Sequence, residues 1–261
     1  DVLAIGDAPT DITSHSVATS HFYDIFRYQI LDTNSYIEEI WAYGYWAIDR
    51  CARIIKEGAS FKEVTKGDLT EVEGCIAQAY AIKALCSFYL TNMFGLPYSE
   101  ANKTTLGIVN VTEPVPAYSQ VSRVSVEQNY SLILDDITKA KEYYAKEGVE
   151  NVGKQYMNTA AVAALEARVK LYMKNYEGAI TAAQEAITLS GGTIVSTKED
   201  YKNMYTTLAV STEDIFFIAK AEDDYLSANA LNTLWNKYGL SINSATIAEY
   251  SSNAVSYTHL R

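Results

Sequence analysis

The side chains that could do chemistry in this sequence are few and scattered. Three histidines occur, His15, His21 and His259, and none has the H-x3-H or H-E-x2-H spacing that turns two ring nitrogens toward one metal ion. The sequence holds no C-x2-C pair, no G-x-S-x-G elbow and no glycine-rich phosphate loop. Neighbouring carboxylates do occur, at Asp135 and Asp136, from Glu222 to Asp224, and at Asp7 with Asp11. A glycosidase needs its acid and its nucleophile or base at a set separation across a cleft, and none of these groups sits in a motif that imposes one. The run from Asp7 to Asp11 also lacks the further oxygen ligands of a calcium loop. The expectation is a protein without catalytic residues, metal or cofactor.

Binding chemistry is better supplied. A sugar is held by stacking its C–H faces on aromatic rings while carboxylates, amides and imidazoles meet its hydroxyls, and no catalytic pair is required. Two stretches mix aromatics with such polar groups, His21 to Tyr28 and Tyr225 to Tyr238. In the first, Phe22 and Tyr23 are the candidate stacking rings, with Asp11 and His21 as polar partners. In the second they are Tyr225, Trp235 and Tyr238, with Asn232. Trp41 and Tyr45 fall on a helical stripe and read as core.

Composition narrows the partners. The net charge is -11, with no block of basic residues, so phosphate backbones and anionic headgroups are repelled and nucleic acid is not an expected ligand. Tyrosine, at 21 residues, outnumbers the 7 Phe and 3 Trp together, a choice that suits half-wet surfaces and sugar rings. The three cysteines make no disulfide framework. Cys75 and Cys86, eleven residues apart on one expected helix, stand about 16 Å apart along its axis and cannot pair. No apolar run reaches the length of a membrane helix, and the first residues, which do not resemble a signal peptide, read like the middle of a domain.

The elements that must position these residues are helices, and they repeat. Ala77–Gly95 aligns without gaps on Ala160–Gly178, with identities at Ala77/Ala160, Ala81/Ala164, Ala84/Ala167, Tyr89/Tyr172, Asn92/Asn175 and Gly95/Gly178. Small residues at helical spacing let a second helix approach closely. After the second copy, Tyr176, Ala179, Ile180, Ala183, Ala186 and Ile187 form a further amphipathic helix that Gly191 and Gly192 end. Such a pair is tetratricopeptide-like, but an offset of 83 residues is far from the ~34 of a regular array. The sequence therefore predicts a mainly α fold, an irregular tetratricopeptide-like helical superhelix with long loops and minor β.

Helices are predicted over Tyr36–Glu57, stopped at Gly58; over Thr70–Phe94, started by a Thr70/Glu73 capping box; over Ser125–Tyr144, with a Ser125/Gln128 capping box; over Asn158–Met173, capped by Asn158; and over Tyr176–Leu189. Ala160, Ala164 and Ala167 are expected to face a neighbouring helix. Asp214 to Glu222 is the best strand candidate. As organisation this gives one α-helical domain over 1–261, loop-rich at 1–35, a core of helical pairs at 36–190, and loop-rich with a short strand at 191–261, expected to be incomplete at both ends. The terminal SYTHLR fits nothing before it and reads as a non-native end.

With the elements in order, the short motifs resemble the SusD/RagB family, surface lipoproteins of Bacteroidota that capture nutrients. SFYLTNMFGLPYSE (87–100) is similar to that family's helix closing in an F/Y-G-x-P turn. Leu106–Tyr144 resembles its following loop, cap and helix, Met157–Ile187 its most recognisable helical pair, and STEDIFFI its next strand. The resemblance implies non-enzymatic binding of glycans or other nutrients at the surface of the outer membrane. It also implies delivery of an oligosaccharide to a SusC-like TonB-dependent transporter, with membrane attachment only through an N-terminal lipid absent from this chain. The alternative is a tetratricopeptide-like scaffold that binds a protein or peptide in its groove. Two positions depart from the family pattern: Lys83 or Leu85 stands where an Arg is usual, and Ala52 where an Asn is usual.

Overall fold

The structure, a computed structural model, describes residues 2–16, 19–206, 210–219, 233, 235 and 238–249. They fall into two compact units, one of Asp1–Ile40, Val195–Ser211 and Lys220–Arg261, the other of Trp41–Ile194 and Thr212–Ala219. The second unit carries the long helices. They are α3 (Ser35–Val64, within this unit from Trp41), α4 (Thr70–Phe94), α5 (Val126–Tyr144), α6 (Thr159–Tyr172) and α7 (Tyr176–Ser190), after α1 (Val2–Ile5) and α2 (Tyr23–Phe26) of the first unit. Among the described residues the only sheet is two-stranded, so the mainly α expectation holds.

One core joins α4, α5 and α6. Ala77, Ala81, Ala84 and Phe88 meet Val126, Tyr130, Ile133, Ile137, Ala140 and Tyr144, and Ala161, Val162, Leu165 and Val169 close the cluster. Alanine on α4 and α6 lets the larger chains of α5 fill the space between them. Gly44 and Gly58 do the same for α3 against α4. A Cβ at Gly44 would lie 2.9 Å from the Leu90 methyls and one at Gly58 would lie 2.9 Å from Ile76. The pairings 44 with 90 and 58 with 76 make the helices antiparallel. Gly58 is therefore a contact point and not the expected stop, and α3 continues to Val64.

Several local expectations hold and others are corrected. Ser125 and Gln128 form both halves of a capping box, and Asn158 accepts from Ala161 N at 2.8 Å. Thr70 and Glu73 do not form one: Thr70 N donates to Asp68 Oδ1 at 3.0 Å, while Glu73 is drawn to Lys62 and to Lys146, 2.6 Å away. Two cations outweigh one backbone N–H as partners for a carboxylate. On α7 the buried face is Ala179, Ala182 and Ala186, whereas Tyr176, Ile180 and Ile187 are exposed, because the small stripe allows the closer approach to α6. Gly191 ends α7 with φ 59, the left-handed conformation expected of a glycine there. The strand expected from Asp214 does not form within 214–219. Phe217 N donates to the Lys154 carbonyl at 3.0 Å and Ile215 and Phe216 pack on the helical core, an anchor onto helices in place of a ladder.

The repeat is one of sequence more than of environment. Ala81 and Ala84 are fully buried, but their counterparts Ala164 and Ala167 are only partly so. Ala164 lines a hollow of about 460 Å³ with Leu85, Tyr89, Arg168 and Phe216. The α6 face that meets neighbours is Ala160, Ala161, Val162, Ala163, Leu165 and Val169.

Lys83, which with Leu85 is one of the two positions where the resemblance leads one to look for an Arg, is a buried charge paired with a second one, Asp136. Lys83 is 3% exposed and Asp136 is 1% exposed. Lys83 Nζ lies 3.0 Å from Asp136 Oδ1 and donates to the Val111 carbonyl at 3.1 Å. Neither Asp136 oxygen is met by an aligned donor, so the pair is held by charge. Burial pushes the Asp136 carboxyl up from 3.8 to about 6, with Lys83 pulling it down. A group whose folded pKa lies above its unfolded value stabilises the fold fully below the unfolded pKa and loses that contribution as pH rises through the folded one.

Two measurements check this packing. Ala81→Leu should cost about 1–3 kcal/mol in a denaturant titration by overpacking, whereas Ala164→Leu, opening into a hollow, should stay within about 0.5 kcal/mol. Lys83→Met should cost about 3–5 kcal/mol near neutral pH by leaving a buried carboxylate without its cation. That loss should shrink as the pH is lowered below the Asp136 pKa, where the carboxyl takes up a proton; a pH-independent loss would contradict the assignment.

Candidate functional site

Described residues of the two stretches named for sugar binding come together in the first unit, His21 and Phe22 of one with Trp235 and Tyr238 of the other, although they lie at opposite ends of the chain. A short antiparallel ladder pairs the segments beside them. Strand β1 (Thr13–His15) pairs with β2 (Leu240–Ile242), Thr13 opposite Ile242, Ser14 opposite Ser241 and His15 opposite Leu240. Side chains extend the zipper, with Ser14 Oγ and Ser241 Oγ 2.7 Å apart and Thr19 Oγ1 donating to the Tyr238 carbonyl at 2.5 Å. Both strands were expected to be loop. Three-residue strands with two serines carry too little hydrophobic alternation to be read from sequence.

Under the ladder lies a small apolar cluster of Ala4, Ala8, Phe22, Ile25 and Leu240, with Ile5, Tyr36, Trp235 and Tyr238 packed around it. Phe22 is 1% exposed and its ring stacks on Tyr36 at 4.3 Å. It supports the cluster from inside and has no face free for a ligand, which corrects its expected stacking role. His21 is partly exposed. Its Nδ1 lies 2.8 Å from the Tyr36 hydroxyl and its ring 4.2 Å from that of Tyr238. His15 Nε2 lies 2.7 Å from the His21 carbonyl oxygen. A carbonyl only accepts, so Nε2 carries the proton. Burial, with Glu39 adding, raises the Tyr36 hydroxyl's pKa.

The other candidates are placed less centrally. Tyr23 is partly exposed, with His15 at 5.2 Å on one side and the Arg27 guanidinium 5.4 Å from its ring centre. The Asp11 side chain is exposed, while its carbonyl accepts from Asn243 Nδ2 at 3.1 Å. Trp235 and Tyr238 are both partly buried. Tyr225 and Asn232 lie outside the described residues. His21, Tyr23, Trp235 and Tyr238 are thus gathered in one unit as half-exposed aromatic and imidazole groups on a buried base. Tyr36 was missed as a member; its position just after Ser35, at a helix start, marked it only as structural.

Among the described residues no group of three or more His, Cys, Asp or Glu side chains is placed to hold a metal ion, and no helix is long and apolar enough to cross a membrane. Asp136 has the raised pKa of a general acid, but it is closed in with Lys83, and Asp135 is paired with Lys139 at 2.6 Å. The cysteines are free thiols, Cys51 buried and Cys75 exposed.

Comparison with known proteins places the chain. No curated protein matches it. Among solved structures it is similar to a SusD superfamily protein from Bacteroides thetaiotaomicron VPI-5482, with a TM-score of 0.84 and 20% identity over 97% of this chain and 57% of the other. It is also similar to a SusD-like carbohydrate binding protein from Bacteroides vulgatus ATCC 8482, with a TM-score of 0.78 and 15% identity over 96% of this chain and 52% of the other. A laminarin binding SusD-like protein matches with a TM-score of 0.61 and 17% identity over 79% of this chain and 44% of that one. The chain spans about half the length of these proteins. A SusD-like family described as starch-binding and associating with the outer membrane matches residues 4–171. By that match, which covers well over half of its length, the chain belongs to the SusD/RagB family.

Proposed function

We propose that this protein captures glycans without cleaving them and passes them to a TonB-dependent outer-membrane transporter of the SusC type. The observation that carries the reading is the convergence of two distant aromatic stretches, with His21 against Tyr238 and Trp235 on the same small cluster. Half-exposed rings on a fixed base offer apolar faces to a sugar, and the imidazole and phenol edges offer hydrogen bonds. A rigid base matters because little ordering entropy is then left to be lost on binding.

Membership of a starch-binding family associated with the outer membrane supports both the ligand class and the location. The carbohydrate and laminarin binding described for two structural neighbours points the same way. The pairing of two candidate carboxylates supports a non-enzymatic role. Asp136 is spent on Lys83 and Asp135 on Lys139, so neither is free to serve as acid or nucleophile. Attachment by an N-terminal lipid and docking on a barrel complete the proposal as the family resemblance implies them.

The test is titration with laminarin- and starch-derived oligosaccharides, followed by intrinsic fluorescence. Trp235→Ala should weaken binding by about tenfold or more, equivalent to ~1.4 kcal/mol, with the helical circular dichroism unchanged. Undiminished binding by that variant would remove the site from the first unit. The sugar recovered after long incubation should have its original chain length; shortened products would overturn the non-enzymatic reading.

A further inference from the structure

We infer that the second unit carries a carbohydrate subsite of its own on α3, centred on Trp46. It rests on the glycan-binding reading for its ligand class alone, since its residues are separate from those of the first unit. A hollow of about 350 Å³ opens between α3 and the loop that follows α4, within the size range of small-ligand pockets. Trp41, Tyr45 and Trp46 line the helix side, and Val109, Val111, Val115 and Val121 the loop side. Asp49 and Arg53, one and two turns beyond Tyr45, add the polar groups.

The three rings are not equivalent. Trp41 is used within the protein, with Phe94 edge-on at 4.8 Å, Tyr45 at 4.8 Å and the Arg123 guanidinium 4.9 Å from its ring. Tyr45 is a tether. Its hydroxyl donates to the Val109 carbonyl at 3.0 Å and accepts from Val109 N at 2.8 Å, and burial pushes its pKa up to about 12. Trp46 is left over. It lies off the buried stripe, 57% exposed, and its one ring neighbour is Tyr43, edge-on at 5.1 Å and equally exposed. An indole more than half exposed beside a hollow keeps surface available for stacking.

The polar rim suits a polyhydroxylated ligand. Arg53 Nε donates to Asp49 Oδ2 at 2.7 Å and its Nη2 to Oδ1 at 3.3 Å, a two-pronged pair that stays open to solvent. Such a pair fixes both side chains and leaves lone pairs and N–H groups for vicinal hydroxyls, one accepting and one donating. An apolar peptide would leave this rim unsatisfied, whereas a sugar presents a C–H face to Trp46 and hydroxyl edges to Asp49 and Arg53. The loop wall is preorganised by Tyr45 on Val109 and by the buried Lys83 on Val111.

The three tryptophans, at 41, 46 and 235, make the inference testable. Protein labelled with 5-fluorotryptophan is titrated with laminarin- and starch-derived oligosaccharides, and the ¹⁹F signals are assigned with single Trp→Phe variants. The Trp46 signal should shift saturably, keep that shift in Trp235→Ala, and need about tenfold more sugar in Asp49→Ala. A sugar that moves Trp235 but leaves Trp46 still overturns the subsite and spares the first site; one that moves Trp46 alone supports the subsite and removes the first. A panel that moves neither signal overturns both. A Trp46 shift that disappears in Trp235→Ala, or is unaltered in Asp49→Ala, also overturns the subsite.

Discussion

The buried contact of Lys83 with Asp136 and the Val111 carbonyl constrains more of this structure than its size suggests. Taking both ions out of water costs several kcal/mol each, and their attraction repays it only at close range. Once made, the contact fixes three things together: the register of α4 on α5, the depth of both helices and the course of the loop after α4. Asn129 closes the same loop from the α5 side, accepting from Ile108 N at 2.8 Å and donating to the Ile108 carbonyl at 3.2 Å. Loop residues 108 to 111 are thereby held by polar side chains from α3, α4 and α5. That is unusual support for a connection and explains how a proline-containing loop serves as a wall.

Elsewhere the same unit uses charge at its rim. Glu73 lies between Lys62 and Lys146, and both lysines also stand over the Tyr143 ring, Lys146 at 4.0 Å. Hydrogen bonds from Lys146 and Lys62 hold the Glu73 carboxyl below its ordinary range. Glu166 links Lys141 and Lys170, with Lys141 reaching Glu185 on α7 at 2.6 Å. These bridges are partly wet and worth little singly. Lys62 to Glu73 and Lys141 to Glu166 and Glu185 cross between helices and help to align them, whereas Lys170 to Glu166 lies within α6.

Helical periodicity and capping were legible because they are local. Ser125 with Gln128, Asn158 and Gly191 act within a few residues, and each does what its neighbours dictate. Gly58 was misread because the physical reason for a glycine was on another helix, at Ile76. Glu73 was misread for the same cause, its lysines lying 11 residues before it and 73 after. At the candidate site, the two aromatic stretches were identified but not their meeting, which depends on a three-residue ladder between residues more than 220 apart. Phe22 shows the limit clearly: an aromatic in a polar stretch is equally a stacking ring or a plug, and only burial separates them. Trp46 was overlooked because its neighbours Trp41 and Tyr45 fit the stripe, although a large ring that breaks a stripe was itself the available signal.

The abundance of tyrosine has a physical explanation in this packing. Helices that approach through alanine leave wide grooves at their flanks, deep enough for an aromatic body but open to polar backbone at the far end. Tyr144 crosses such a groove to donate to the Met157 carbonyl at 2.7 Å, and Tyr130 donates to Asn92 Oδ1 at 3.1 Å. Tyr45 likewise donates to the Val109 carbonyl, and the Tyr36 hydroxyl lies 2.8 Å from His21 Nδ1. In each case the ring supplies buried apolar area while the hydroxyl ties a helix to something outside it. Phenylalanine would fill the groove and leave a carbonyl unmet, at a cost of about 1–3 kcal/mol where it is buried. A fold with small helix contacts and long connections therefore favours tyrosine before any ligand is considered, and ligand-facing rings are to be sought among those whose faces and hydroxyls the fold has not already used.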